Sequence, residues 1–298
     1  MQKRICRLGA TLLYIATIFT PLTACKSSNQ NQSSQGLLDE QKDKKVLLVS
    51  IDGLRADAVA NTEFGRYLLK NSAYSLTSTT VEPSLTLPCH MSMFYGVSPQ
   101  EHGLLTNSAT PTESLKDGIT ETLANHQKSS AIFYDWEPIK FVAKESTTTR
   151  STYLDSNTYP FSETVTMTGD ACMEHLLDSP TDFTFLYLGF PDENGHTYGW
   201  LSNEYYQALN ESFSVVQQAI ESINKDDYTI IITADHGGHD KTHGTTMYED
   251  MTIPMFIIGE NYTPGTNLGA HSILDIAPTI ISLFGIDIPE HWGGTAIK

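Results

Sequence analysis

Two short segments of the chain bring aspartate and histidine together at spacings that suit a metal ion. Residues 235–244 read "DHGGHDKTHG", and residues 191–200 read "PDENGHTYGW", in which Asp192 stands four positions before His196. On a helical turn, side chains four residues apart project to the same side, so this pair can reach one ion. Mixed aspartate and histidine ligation suits zinc and, to a lesser degree, manganese. The candidate ligands are His196, His236 and His243, each of which stands close in sequence to one of these aspartates or to another candidate ligand.

Apolar runs that precede aspartates predict where these ligands lie in the fold. The runs "KVLLVSI", "SAIFY", "FTFLYLGF", "YTIIITA" and "IPMFIIG" are typical of buried parallel strands, and four of them end at or just before an aspartate. In an open α/β sheet the ligand crevice lies outside the carboxyl ends of the strands. We therefore expect Asp52, Asp192 and Asp235 to meet at one edge. Asp135 has no histidine nearby and is expected to cap the helix that follows it.

Helical periodicity between these runs indicates the fold class. Residues 203–223 and 272–285 repeat apolar side chains at the helical spacing, and the second segment ends on Gly285, which suits a helix C-terminus. Alternating strands and helices predict an α/β fold with a doubly wound, mostly parallel sheet and helices on both faces.

A candidate nucleophile stands in residues 81–107, "VEPSLTLPCHMSMFYGVSPQEHGLLTN". Thr86 lies between Pro83 and Pro88, which restrict the backbone around it. A hydroxyl is a poor nucleophile until a base or a metal ion lowers its pKa, and a nearby metal ion would do so. From this segment alone, an ordinary turn threonine is the alternative.

Four motifs occur in the order that a known enzyme family shows. "VSIDGLRAD", "PSLTLPCHMSMFYGVSPQEHGLLTN", "DENGHTYGW" and "ADHGGHDKTHG" together resemble the type I phosphodiesterase/nucleotide pyrophosphatase family of the alkaline phosphatase superfamily. The resemblance runs from about residue 45 to the C-terminus, where "ILDIAPTIISLFGIDIPEHWGG" is similar to the family's closing helix and tail. It implies an alkaline phosphatase-like fold and a site that holds two zinc ions, with manganese as the alternative.

The resemblance also implies a role for each matching residue. The ligands of one metal ion are matched by Asp52, Asp235 and His236. The ligands of the other metal ion are matched by Asp192, His196 and His243. Thr86 matches the nucleophile, which also touches the first of these ions. Asn107 matches an asparagine that hydrogen-bonds a phosphate oxygen.

The chain is shorter than many members of this family. The long insertion that some members carry before the last metal histidine is missing, and His243 follows His236 closely. His271 therefore stays open as an alternative to His243 as the last metal ligand of the chain. His239 is a second alternative, and otherwise it is expected around the ligands or at the pocket rim. Lys241 is expected in solvent rather than on a phosphate. Substrate specificity stays open, because inserted loops commonly shape a pocket.

Other residues near the motifs have simpler explanations than a role in the chemistry. His90 and His102 stand close to the candidate nucleophile and could orient it, although a satisfied core histidine is the simpler expectation. Tyr95, Tyr198 and Trp200 could stack on a base, but packing in the core or on the surface is the simpler expectation for all three.

The N-terminal residues are expected to serve export and attachment rather than the fold. Residues 1–25 combine basic residues, a short apolar stretch and "LTAC", which resembles the lipobox of bacterial lipoproteins and makes Cys25 the lipidation site. An uncleaved N-terminal anchor is the alternative, and both place an exported protein at a membrane. Residues 26–44 are polar and indicate a flexible linker. Residues 45–298 are predicted to form a single catalytic domain.

Composition limits the partners of the protein. The chain carries 18 basic and 35 acidic side chains, a formal net charge of -17, so nucleic-acid binding by a basic surface is disfavoured. Export would permit a bridge between Cys89 and Cys172, and two buried free thiols are the alternative.

Together these observations predict an exported, membrane-anchored hydrolase that cleaves a small phosphodiester or nucleotide through a covalent phosphothreonine at a two-zinc site. Two alternatives are a phosphomonoesterase and a phospho-headgroup transferase on the same metal core. An alternative from another class is a non-catalytic, metal-binding lipoprotein.

Overall fold

The computed structural model describes residues 44–112 and 115–298 of the chain. The predicted export signal, the lipidation site Cys25 and the linker up to residue 43 lie outside the described residues. The described residues belong to one compact unit. Within these two stretches, no helix combines the length and the apolar character that crossing a membrane requires.

A mixed sheet forms the centre of the fold. The seven strands of the described residues are β1 (Lys45–Ile51), β2 (Ala73–Thr79), β3 (Ser130–Tyr134), β4 (Arg150–Tyr153), β5 (Phe183–Leu188), β6 (Tyr228–Thr233) and β7 (Thr252–Ile258). Their order across the sheet is β2-β7-β6-β1-β5-β3-β4. β1 pairs in parallel with β5 and β6, and β3 pairs in parallel with β4 and β5.

The strand predicted from "IPMFIIG" runs in the direction opposite to the one predicted. β7 is antiparallel to β6, with Phe256 opposite Ile232, and it is also antiparallel to β2. Its residues are buried on both faces, as in a parallel strand, so the apolar run does not reveal the direction. β2 and β4 were not predicted, because "AYSLTST" and "RSTY" lack a continuous apolar run.

Helices alternate with the strands along the chain. The α-helices of the described residues are α1 (Glu63–Asn71), α2 (Thr86–Tyr95), α3 (Pro99–His102), α4 (Ile119–Asn125), α5 (Phe161–Asp178), α6 (Phe190–Tyr198), α7 (Asn203–Ser222), α8 (Tyr248–Met251) and α9 (Ile276–Leu283). Short 3-10 helices occupy Ala56–Asn61, Glu137–Val142, Glu145–Thr147, Lys225–Asp227 and Ile273–Asp275.

Helices cover both faces of the sheet. Phe94 of α2 packs on Phe185 of β5 with 4.9 Å between ring centroids, whereas His175 of α5 packs on Phe133 of β3 at 5.3 Å. Phe133 is paired with Leu186, the residue after Phe185, and successive strand residues point to opposite faces. α2 and α5 therefore lie on opposite faces. The predicted doubly wound, mostly parallel α/β fold is confirmed.

The two helices predicted from periodicity are also present. Within the predicted segment 203–223, α7 covers Asn203–Ser222, and Ser202 caps its first turn by accepting a hydrogen bond from the Tyr205 N–H at 3.1 Å. Residues 272–285 form a 3-10 turn and α9. Gly285 follows with φ 67°, and the N–H of Ile286 reaches back to the carbonyl of Ile281 at 3.2 Å.

The described cysteines do not form a disulfide. Cys89 and Cys172 are both free and buried. Cys89 lies on α2 and Cys172 on α5, two helices on opposite faces of the sheet. Burial raises the pKa of both thiols, so neither is activated as a thiolate.

Candidate metal centre

Three aspartates meet where neighbouring strands of the sheet end. β6, β1 and β5 are adjacent, and Asp235 follows β6, Asp52 follows β1, and Asp192 lies in the first turn of α6, which follows β5. Nε2 of His236 lies 3.3 Å from Oδ1 of Asp52 and 3.2 Å from Oδ2 of Asp235. A Cβ placed on Gly53 would lie 3.1 Å from Oδ1 of Asp192, so α6 also approaches the end of β1 closely.

In two of these carboxylates, one oxygen accepts a hydrogen bond and the second oxygen has no hydrogen-bond partner among the described residues. The hydroxyl of Tyr187 donates to Oδ2 of Asp52, and the backbone N–H of Gly53 donates to Oδ1 of Asp235 at 3.2 Å. Among the residues described, Oδ1 of Asp52, Oδ2 of Asp235 and Oδ1 of Asp192 are buried without a hydrogen-bond partner. Buried polar atoms are normally paired, so three such oxygens at one edge fit ligation of a cation.

Backbone carbonyls orient the histidine rings of the site. Nδ1 of His236 donates to the carbonyl of the next residue at 2.8 Å, Nδ1 of His243 to the Ser84 carbonyl at 2.8 Å, and Nδ1 of His196 to the Lys241 carbonyl at 3.1 Å. A carbonyl oxygen only accepts, so Nδ1 of each ring carries a hydrogen, and Nε2 carries a lone pair when the ring is neutral. Such a bond at the second nitrogen is typical of metal-ligating histidines.

Asp192, His196 and His243 form a second group beside the first. Nε2 of His196 lies 3.4 Å from Oδ2 of Asp192, and Nε2 of His243 lies 3.6 Å from Oδ1. The two Nε2 atoms face each other at 3.1 Å. When both rings are neutral, these two atoms carry lone pairs and cannot hydrogen-bond to each other, and a cation ligated by both would remove their repulsion.

The charges of the site also suit divalent cations. Burial raises the pKa of Asp52 and Asp192, and the charge of Asp235 raises both further. Burial lowers the pKa of His236 and His243 to about 3, which keeps these rings neutral and able to ligate. Within residues 44–112 and 115–298, the ion-pair partners of the three aspartates are histidines and include no lysine or arginine. Buried carboxylates without a fixed positive partner favour a metal ion.

His236 of the first group also lies close to Asp192 and His243 of the second group. The ligand atoms of Asp52, Asp235 and His236 lie within 4.8 Å of one another, and so do those of Asp192, His236 and His243. The rings of His236 and His243 stack with centroids 3.7 Å apart. The residues therefore fit two neighbouring ions, with His236 at the border between them.

Thr86 lies at the start of α2, next to the first group. Its side-chain oxygen is 3.3 Å from Nε2 of His236, and the residue is 3% exposed. The N–H of Leu87 donates to Oδ1 of Asn107 at 2.9 Å, which brings Asn107 beside Thr86. Nδ1 of His90 donates to the Thr86 carbonyl at 2.8 Å. The N-terminus of a helix of this length favours negative charge near Thr86.

A cleft of about 220 Å³ opens over these residues. The sequence-predicted residues on its walls are Asp52, Thr86, Asn107, Asp192, His196 and His243. Sequence reasoning missed Trp136, Phe161 and Tyr187, three aromatic residues of the same cleft. Trp136 follows the strand-terminal Asp135 directly, and that position signals the carboxyl edge of the sheet. Phe161 and Tyr187 carry no comparable signal.

The prediction for Asp135 is wrong. The 3-10 helix that follows begins after Trp136 and has no side-chain cap. Oδ1 of Asp135 instead accepts the N–H of Gly189 at 3.0 Å, at the start of α6. Burial raises the pKa of Asp135 to about 7. The side chain thus ties the end of β3 to the helix that carries Asp192.

The alternative histidines lie away from these ligand groups. His271 is 3.4 Å from Asp275, and Nδ1 of His239 contacts Oδ1 of Asp250 at 2.7 Å. Of the three late histidines, His243 is the one beside Asp192. Lys241 donates to the Thr197 carbonyl at 2.7 Å and lies on the surface.

Local contacts or surface positions account for His102 and for the aromatic residues near the motifs. Nε2 of His102 contacts the Pro88 carbonyl at 3.2 Å within the protein interior. The Tyr95 hydroxyl donates to Glu121 at 3.1 Å, Tyr198 is 52% exposed, and Trp200 is buried. Another cleft, of about 310 Å³, lies between Tyr95, His102 and His291 and contains neither ligand group.

The sequence is similar to a known family and to proteins of that family's superfamily. Residues 46–251 match the family model described as "Type I phosphodiesterase / nucleotide pyrophosphatase". The chain is 26% identical over 244 residues to human ectonucleotide pyrophosphatase/phosphodiesterase family member 1, across 72% of this chain and 25% of that protein. It is 27% identical to GPI ethanolamine phosphate transferase 2 of Eremothecium gossypii, across 98% of this chain and 40% of that protein. The chain thus spans between a quarter and two fifths of these relatives.

Solved structures share the architecture. Murine ectonucleotide pyrophosphatase/phosphodiesterase 5 superposes with a TM-score of 0.69 at 15% identity, covering 85% of this chain and 98% of that one. A 2-O GAG sulfatase superposes with a TM-score of 0.64 at 13% identity, covering 85% of this chain and 73% of that one. These likenesses establish the alkaline phosphatase-like fold.

Proposed function

This chain belongs to the type I phosphodiesterase/nucleotide pyrophosphatase family, and on that premise we propose that it hydrolyses phosphodiester or pyrophosphate bonds of a small phosphodiester or nucleotide. The observation that carries this proposal is the position of Thr86, at a helix N-terminus and 3.3 Å from a histidine with a free ring nitrogen. A buried threonine hydroxyl beside unpaired carboxylate oxygens suits a nucleophile better than a structural residue.

The residues divide into two proposed ligand sets. Asp52, Asp235 and His236 would hold one ion, beside Thr86. Asp192, His196 and His243 would hold the other. We propose zinc for both, with manganese as the alternative, because the donors are mixed carboxylates and imidazoles. When bound, such ions supply positive charge that lowers the pKa of a hydroxyl and stabilises a departing oxygen.

The reaction runs in two displacements at phosphorus. The Thr86 hydroxyl gives up its proton as its oxygen forms a bond to phosphorus. The bond from phosphorus to the leaving oxygen breaks, which gives phosphothreonine and an alcohol or phosphate product, and the departing oxygen of an alcohol takes up a proton. Water then forms a bond to phosphorus and gives up a proton, and the threonine oxygen departs and regains one. The N-terminus of α2 and the amide of Asn107 stabilise negative charge on the phosphoryl oxygens.

The contacts of Asn107 support this role. Its Oδ1 accepts the Leu87 N–H at 2.9 Å, which fixes the amide plane beside Thr86. Trp136 and Phe161 line the same cleft and present partly exposed rings to the substrate group attached to phosphorus. The murine relative was solved as an inactive threonine-to-alanine variant in complex with AMP. That complex supports a threonine nucleophile and a nucleotide as the substrate of this chain.

Metal content tests the ligand sets. The purified protein should retain two equivalents of zinc or manganese by mass spectrometry. An Asp192→Asn variant should lose about one equivalent, whereas Asp178→Asn, which changes an exposed residue at the end of α5, should retain both. Less than one equivalent in the unaltered protein would favour a non-catalytic protein and contradict the two-metal mechanism.

Substrate preference tests the reaction class. Turnover of a nitrophenyl phosphodiester should exceed turnover of the matching nitrophenyl phosphate and nitrophenyl sulfate. Faster turnover of the monoester would make the protein a phosphomonoesterase on the same metal core. The fold alone does not separate these classes, because a sulfatase shares it.

A second candidate function is transfer of a phospho-headgroup to an alcohol. The alignment with the GPI ethanolamine phosphate transferase 2 covers 98% of this chain, which favours considering it. In phosphorus NMR of reactions with added ethanolamine or glycerol, a hydrolase gives mainly the product of water attack. A dominant ester with the added alcohol would instead identify a transferase.

The N-terminal pattern supports attachment of an exported protein to a membrane through Cys25. Cells that express the full chain should incorporate labelled palmitate into the protein, and a Cys25→Ser variant should not. Equal labelling of both chains would contradict lipidation at this cysteine.

A further inference from the structure

Trp200 touches three of the segments that carry the proposed ligands. Its ring lies against Gly195 and Gly238, because a Cβ placed on these glycines would come within 2.6 Å and 2.2 Å of its Cε2 atom. Its Nε1 donates to the Gly53 carbonyl at 3.0 Å. Gly53 follows Asp52, Gly195 precedes His196, and Gly238 lies two residues after His236. No side chain larger than hydrogen would fit beside the indole at Gly195 or Gly238.

The indole also contacts the ligand histidines themselves. Its centroid lies 5.2 Å from that of His196 and 5.9 Å from that of His243, both in edge-to-face geometry. The backbone N–H of Trp200 donates to the Asp240 carbonyl at 2.8 Å, in the loop that leads to His243. The residue therefore fixes both the rings and the loop of the second ligand set.

Gly53 connects Trp200 to the first ligand set. The N–H of Gly53 donates to Oδ1 of Asp235 at 3.2 Å, and its carbonyl accepts from Trp200 and from the Tyr205 hydroxyl at 2.9 Å. With two donors on its carbonyl, the Gly53 residue is held in place. The oxygen of Asp235 that it binds is held with it.

We propose that Trp200 is a positioning residue that fixes the two metal-ligand sets relative to each other. This inference rests on the proposed function. Trp200 donates no ligand atom, and its role is to hold the ligand-bearing segments at a separation that suits two ions. Groups that orient metal ligands typically change metal affinity by 10–100-fold when they are removed.

The test uses a matched pair of variants, Trp200→Phe and Trp292→Phe. Both tryptophans are 7% exposed, and Trp292 also donates Nε1 to a backbone carbonyl, that of Asp117 at 3.1 Å. Trp292 also packs against a glycine, Gly96, just beyond the end of α2 opposite Thr86. Each substitution therefore removes one hydrogen bond from an indole to a backbone carbonyl and part of the packing on a glycine, but only Trp200 adjoins the ligands.

Zinc retention against a competing chelator should fall about tenfold or more in Trp200→Phe and stay near the unaltered value in Trp292→Phe. With saturating zinc, kcat should fall in Trp200→Phe while KM changes little. Zinc retention equal to that of the unaltered protein in both variants would overturn the inference. Equal losses of zinc in both variants would also overturn it, because they would reflect general destabilisation.

A measurement on the unaltered sequence covers the case in which Trp200→Phe fails to fold. In protein labelled with 5-fluorotryptophan, the fluorine signal of Trp200 should shift as zinc is added, while that of Trp292 should not. A Trp200 signal that stays unchanged while zinc binds would contradict the inference. Failure of the proposed function would appear differently, as absent zinc binding or absent turnover in the unaltered protein.

Discussion

The side-chain oxygen of Thr86 lies 3.3 Å from Nε2 of His236, whose other ring nitrogen donates to the Gly237 carbonyl at 2.8 Å. The lone pair of this ring therefore faces the hydroxyl of Thr86. A cation ligated by His236 would therefore also lie close to the Thr86 oxygen, and the proposed ligand and the proposed nucleophile would act at the same ion.

Replacement of Thr86 by alanine should reduce kcat by about a thousandfold or more, because it removes the attacking oxygen. Zinc content should stay near two equivalents, since Asp52, Asp235 and His236 remain. Thr86→Ser is the matched control and should retain measurable turnover because it keeps a hydroxyl. Substantial turnover by Thr86→Ala would show that water attacks phosphorus directly.

Replacement of Tyr187 by phenylalanine should weaken zinc binding by about tenfold, because it removes the donor to Oδ2 of Asp52. Tyr228→Phe is the control, since the Tyr228 hydroxyl is also buried but has no hydrogen-bond partner in the described part of the chain. Chelator competition measures both variants. Equal affinities would show that Asp52 needs no support from Tyr187.

Alanine substitutions of His243 and His239 should separate a ligand from its neighbour. His243→Ala should lower zinc content by about one equivalent, because Nε2 of His243 lies beside Asp192. His239→Ala should retain both ions, because this ring contacts Asp250 instead. Mass spectrometry of the two purified variants measures the difference, and the opposite pattern would exchange their roles.

Asp135→Asn should change how stability depends on pH. The pKa of Asp135 is raised to about 7 by burial, compared with about 4 in an unfolded chain, so the folded protein binds the extra proton between these values. The stability that this proton supplies is complete below the unfolded pKa and is lost as pH rises through the folded one.

Between about pH 5 and pH 8, the unfolding free energy of the unaltered protein should therefore fall by roughly 2 kcal/mol relative to that of Asp135→Asn. Urea unfolding with saturating zinc measures both proteins across the range. The asparagine can keep the bond from the Gly189 N–H. Parallel stability curves would show that Asp135 does not titrate in this range.

The sequence pattern predicted the edge of the sheet at which the aspartates meet, because parallel strands place their carboxyl ends together. It also predicted that Asp192 and His196 project to the same side of a helical turn, which depends only on helix geometry. The contact between Tyr187 and Asp52 was not predictable, since it requires knowing that β5 lies beside β1 with Tyr187 opposite Ser50. The partner of Asp135 was missed for the same reason.

The direction of β7 required similar knowledge. A strand buried on both faces has the same composition whether its neighbour runs parallel or antiparallel. The two directions differ only in where the preceding connection lies, and residues 234–251 contain turn signals and histidines without a long helical period. The burial of β7 was therefore predictable and its direction was not.

The antiparallel entry of β7 bears on how this fold can change over evolutionary time. The chain leaves β6 and re-enters the sheet at the same edge, so no crossover fixes the length of the connection. Met247 and Tyr248 are exposed on this connection, 45% and 70% respectively, and such exposed segments tolerate insertions. A recognition module can therefore be inserted between β6 and β7 while the strand order and the pairing of these two strands stay unchanged.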